Sequence, residues 1–225
     1  MARISLLLVA SAVLLQSCHD APEAASAAKC AAFKNLDLAN LHDDPEDGLL
    51  EDVWADWVRE QPTVAWNTAS PTGSFRVFTS PGGLTLDPTS REIVGRRSTG
   101  GWEIYARSLT PPYPGQHWTP WRAVSLSQQG DQRLTAILRN PCLWAAPRFL
   151  YAEVRLSNGR YDARPDGPST GYLVVDGQRS WGGWQHSWSV GPPGELRSLL
   201  LSEAFGLPQE RNDEIDAEGW LDQPS

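Results

Sequence analysis

From Thr63 onward, Gly and Pro cut the chain into short β-rich runs, and this punctuation restricts the possible folds more than any other feature. Phe75 to Phe78, Trp102 to Arg107 and Leu134 to Leu138 read as strands. Two hairpins are more specific. Phe149 to Leu156 runs into Ser157-Asn158-Gly159-Arg160, where Asn-Gly supplies the positive φ angles of a two-residue turn. Tyr172 to Val175 enters Asp176-Gly177, and the chain returns from Arg179 to Trp188. Eight to ten short strands with frequent turn signals favour an antiparallel sandwich or barrel-like sheet over a parallel one.

Helices flank this body. Between Asp47 and Gln61, Leu50, Val53, Trp54, Trp57 and Val58 recur at helical spacing, with acids on the other face and in the first turn. Residues 31–41 suit a shorter helix. Glu195 to Phe205 reads as an amphipathic helix with Leu196, Leu199, Leu200 and Ala204 on its apolar side and Gly206 as its stop. The expected fold class is therefore mainly β, with an N-terminal and a C-terminal helix. A chain of 225 residues, 40% apolar, has the material for one such core.

The first thirty residues have another purpose. Arg3 precedes an uncharged, mostly apolar run from Ile4 to Leu15, too short to span a bilayer and the right length for a signal-peptide core. It ends in Leu15-Gln16-Ser17-Cys18, which resembles the lipobox of bacterial lipoprotein precursors. The resemblance covers the leader only. It implies cleavage after Ser17, lipid on Cys18 including a palmitate-type acyl chain, and a periplasm-facing place in the bacterial envelope. Two other readings stay open: an ordinary secretory signal cut near Ala25-Ser26-Ala27, and a chance thiol at Cys18. Residues 18–29 are small, polar and unpatterned, as a flexible tether would be.

With Cys18 lipidated, Cys30 and Cys142 remain, and an even pair in an oxidising compartment suggests one disulfide. Closing a loop of that length would add about 4 to 5 kcal/mol by chain entropy, as an upper bound. Two separate buried thiols are the alternative. Neither Cys has another Cys or a His at ligand spacing, which argues against a metal.

Charge divides the mature chain. Residues 19–60 carry eleven acids and three bases, residues 61–207 ten acids and fourteen bases, and residues 208–225 six acids and Arg211. Every base of the middle stretch is Arg. Solubility and internal pairing explain most of this; the sharper reading is that the middle presents guanidinium groups to an anionic partner. The organisation is then a signal peptide (1–17), the lipidated Cys and tether (18–29), a helical segment (30–61), the β-rich domain with its closing helix (62–207) and an acidic tail (208–225). A formal charge of −8 does not suit a nucleic-acid binder.

Eleven Trp against one Met ask what the indoles do. Trp102 and Trp144 read as core. Trp118 and Trp121, in a Pro-rich loop with Tyr113 and His117, suit either core or a binding surface, as do Trp184, His186 and Trp188. On a strand over 179–188, the last three share one face and Trp181 takes the other. Ser187, next to His186, points away from it and cannot serve as its nucleophile. No nucleophile elbow, P-loop or His-Glu-x-x-His motif is present. Carboxylate pairs are not visible in a sequence, so Glu103 and Glu153 stand as candidates for a cell-wall hydrolase. Acidic clusters at Asp43–Gly48 and Glu214–Gly219 do not fit a calcium loop. The expected role is a non-catalytic envelope module for a protein or glycan, without metal or cofactor, with the tethered hydrolase as the alternative.

Overall fold

The computed structural model describes residues 30, 33, 36–37, 49–67, 71–82, 89–110, 117–151, 153–156, 158–163, 167–187 and 191–208. Cys18, Tyr113, Trp188, both acidic clusters and the acidic tail beyond Pro208 lie outside them, as does most of the expected helix at 31–41.

Helix α1 (Leu49–Arg59) comes first, followed by strands β1 (Gly73–Ser80), β2 (Ser90–Ser98), β3 (Gly101–Thr110), β4 (His117–Trp118) and β5 (Arg122–Val124). Helices α2 (Gln128–Arg139) and α3 (Pro141–Trp144) lead into β6 (Phe149–Leu150), β7 (Glu153–Arg155) and β8 (Tyr161–Ala163). The hairpin β9 (Ser169–Asp176) and β10 (Arg179–His186) precedes α4 (Gly191–Phe205). Eight strands form one sheet in the order β4-β3-β2-β1-β9-β10-β6, with β5 also paired to β3; β7 and β8 form a separate pair. The fold is thus sheet-rich with a few flanking helices. The large sheet is mixed, since β6 runs parallel to β10, and it is open; the expected sandwich or barrel is not seen among the described residues.

One face of the sheet carries the core. Val77 pairs with Ile93 and Tyr172, and Phe75 with Val174, so these side chains project together. They are buried with Leu134, Ile137 and Leu138 of α2, Leu143 of α3, and Leu196, Leu199, Leu200 and Ala204 of α4. The disulfide forms between Cys30 and Cys142, with Cα atoms 5.8 Å apart, and fastens the segment bearing Phe33 to α3 on this side.

The other face receives α1. Acids occupy the helix's first turn and Arg59 its last, as the helix dipole favours. Leu50 is buried, whereas Val53 is 38% exposed and stands off the apolar stripe. Trp54 Nε1 donates to the Tyr172 carbonyl at 2.8 Å, and Gly182 makes room for that indole: a Cβ there would lie 2.7 Å from Trp54 Cζ2.

Three local expectations need correction. Leu134 to Leu138 is not a strand but part of α2, which Ser127 caps by accepting from the Gly130 amide at 2.9 Å. Leu134, Ile137 and Leu138 sit at i, i+3 and i+4, a helical stripe that a five-residue apolar run conceals. At Asn158-Gly159 only Gly159 has positive φ, and Leu156 N bonds Arg160 O, so the loop holds three residues rather than two. Phe149-Leu150 leaves that hairpin to edge β10. Helix α4 starts earlier than expected and is not amphipathic, because Arg197, Ser198 and Leu201 are buried along with its leucines. The second hairpin matches expectation, with Asp176 paired to Arg179 and Gly177 at φ 62 in the two-residue turn. Gly206 ends α4 in the left-handed conformation, its amide donating to Ser202 O.

Candidate binding site

The second face carries an unusual strand pattern. Phe78 of β1 is opposite Glu92 of β2, which is opposite Arg107 of β3; Arg76 lies two residues from Phe78 on the same side. Glu92 is 1% exposed, and a carboxylate so placed must be paired. It is paired twice. Arg76 Nε donates to Oε1 at 2.6 Å and Arg107 Nε to Oε2 at 2.7 Å, with Arg107 Nη2 also on Oε2 at 2.5 Å. Arg76 Nη1 donates to the carbonyls of Trp57 and Glu60 at the end of α1, where the helix dipole favours a cation. Two guanidiniums on one carboxylate leave one positive charge over.

Indoles enclose this triad. Arg76 Cζ lies 4.2 Å from the Trp57 ring centroid, and Arg107 Cζ lies 4.2 Å from that of Trp118 and 4.3 Å from that of Trp121. Such contacts add about 0.5 to 2 kcal/mol each, more as water is excluded. Phe78 joins the two ends, with its centroid 6.3 Å from Trp118 and 5.7 Å from Trp184. Trp118 is held because β4 pairs Leu109 with it, and Thr119 closes onto Ser108 from both its amide and its hydroxyl. Trp121 is held by the next residues, where β5 pairs along β3.

The five side chains singled out for binding therefore take different places. Trp118 and Trp121 meet at Arg107 and are half-buried. Trp184 is buried beneath α1, edge-on to Trp57 at 6.1 Å, and touches the cluster through Phe78. His186 shares that face of β10, with Trp181 on the other, but its contacts lie at the strand's end. There Nδ1 is 2.6 Å from Ser169 Oγ and the ring stacks near Tyr151. Ser187 turns away at φ 65 and accepts from the Gly167 amide. Trp188 is outside the described residues. Trp102 and Trp144 pack against the core, as read from the sequence.

Glu103 serves as a clasp. Its Oε1 accepts from the Asn67 backbone amide and Nδ2 at 2.9 and 2.8 Å and from the Tyr105 hydroxyl at 3.0 Å. Trp66 sits edge-on to Tyr105 and under Arg96, so residues 65–67 are strapped to β3. The hydrogen bond to the Glu103 carboxylate, with burial and charge adding to it, holds the Tyr105 hydroxyl above its ordinary pKa. Glu153 is on β7, in the separate two-stranded sheet, and its side chain is outside what is described. Among the described residues no cluster of His, Cys, Asp and Glu could hold a metal.

The sequence assigned none of Arg76, Glu92, Arg107 and Trp57 to a site, and Trp57 was read only as part of the α1 stripe. The available signal was Glu92 itself, an acid followed directly by Ile93-Val94 in a strand-like run. Compared with known proteins, the chain matches no family model, no curated protein and no solved structure.

Proposed function

We propose that this chain is a lipoprotein of the bacterial envelope, exported by its leader, acylated on Cys18 and facing the periplasm, whose sheet domain binds a protein or glycan without catalysing a reaction. The observation that carries the binding reading is the fixed, half-buried Trp118–Arg107–Trp121 arrangement. Aromatic and arginine side chains that are already immobilised lose little entropy on contact, and these residue types dominate interface hot spots. The lipobox-like Leu15-Gln16-Ser17-Cys18 supports the anchor.

The test is capture from envelope extract by the full chain in a non-ionic detergent. A specific partner should be retained by the unaltered chain and lost from a Trp118→Ala/Trp121→Ala double variant. Retention by the double variant would remove this face from the reading. Mass spectrometry of the mature amino terminus separates acylated Cys18 from a cut after Ala27.

A further inference from the structure

Arg107 is restrained on three sides. Nε and Nη2 face Glu92, and Trp118 and Trp121 stack against its guanidinium. Its side chain nevertheless keeps 18% of its surface exposed. Nη1 has no hydrogen-bond partner among the described residues. The cluster as a whole is short of acceptors. Both oxygens of Glu92 are used, so no acceptor of the triad is left for Nη1. An unmet donor edge on a guanidinium, in a cluster with one more positive charge than negative, favours an anionic acceptor over a neutral one.

The charge balance narrows the anion. One surplus positive charge matches one carboxylate, whereas a phosphate monoester brings −1.5 to −2 and would overfill the site. The partner class follows from the stacking. Trp118 and Trp121 each spend ring surface on Arg107, and Trp118 meets Phe78 besides, so the indoles serve the arginine before any sugar ring. We infer that the free edge of Arg107 receives an Asp or Glu side chain of a protein partner, with Trp118 and Trp121 excluding water around that contact. This rests on the binding-module reading and names the chemistry the module would recognise.

Tryptophan fluorescence of the full chain, titrated at low salt with poly-L-glutamate, tests it. Binding should saturate, poly-L-glutamine should not bind, and poly(vinyl phosphate), a polymer of phosphate monoesters, and polygalacturonate should bind more weakly than polyglutamate. Arg107→Lys keeps the charge but loses the planar stack and fork, and should weaken polyglutamate by about tenfold or more. Trp118→Phe, which leaves the triad intact, should weaken it less. Equal affinity in Arg107→Lys, judged folded by near-UV circular dichroism, overturns the inference. So does tighter binding of poly(vinyl phosphate) or polygalacturonate, a comparison made on the unaltered chain and independent of any variant's folding. The envelope capture separates the two ideas. A partner lost from the double Trp variant but kept by Arg107→Lys leaves the module standing and removes the carboxylate contact. Polyglutamate binding at Arg107 with no captured partner does the reverse.

Discussion

At Glu92 a single carboxylate holds two arginines under a layer of indoles. Burying such a group is costly in isolation, and its partners offset the desolvation only while all are present. Glu92→Gln would leave Arg76 and Arg107 facing each other without a counter-charge. It is expected to lower stability by about 3 to 5 kcal/mol in urea unfolding; a loss under 1 kcal/mol would mean that the carboxylate is not what holds this face. Tyr105 predicts a pH effect of definite sign. Its folded pKa is raised, so the Glu103 hydrogen bond stabilises fully below the unfolded value near 10, and that contribution fades as pH rises through the folded value. Unfolding midpoints of the native chain should therefore fall more steeply in strongly alkaline buffer than those of Tyr105→Phe. Parallel curves would contradict this. At this scale the sequence disclosed the candidates only in part. Trp118 and Trp121 stood out by type, but Arg107 looked like one of fourteen arginines until strand register placed it opposite Glu92.

Elements were more readable where chemistry is local. Helix α1 follows from its spacing and its acidic first turn, and the β9–β10 hairpin from Asp176-Gly177. Helix α2 was hidden because Leu134 to Leu138 is too short a run to show its period; its start is a side-chain cap at Ser127, reinforced by Glu203 from distant α4. No local pattern reports a partner seventy-six residues away. The seating of α1 depends likewise on a small residue in another element. Gly182→Ala would push its Cβ against Trp54 and the Tyr172 carbonyl. It is expected to cost about 1 to 3 kcal/mol and to shift indole emission to the red as the helix lifts. Unchanged emission and melting would show that α1 has slack to absorb a methyl group.

Over the whole molecule, the expectation of a mainly β body flanked by helices matches, but the route by which the sheet ends does not. Closure depends on how edges meet, and among the described residues the short strands β4 and β5 at one edge do not pair with β6 at the other. Short strands and turn signals cannot distinguish that outcome from a barrel. The Cys30–Cys142 bond spans 112 residues. Its replacement by Ala at both positions should reduce stability by about 2 to 5 kcal/mol, measured against the oxidised chain. An equal midpoint for the two would remove the disulfide from the account of stability.

That bond also has a mechanical consequence. Cys30 precedes α1 in the chain but is fastened on the opposite, core-bearing side of the sheet. Tension applied upstream of residue 30 therefore passes across the sulfurs into α3, bypassing α1 and the Arg107 face. Docking of α1 rests on indole contacts, on Trp54 Nε1 donating to the Tyr172 carbonyl and on the Arg76 bonds to its last carbonyls, none of them covalent, so the disulfide shortcut shields it. A pull on the chain upstream of Cys30 therefore leaves α1 seated on the sheet; after reduction the same pull would have to strip Phe33 and Leu36 from the core before it reached α1.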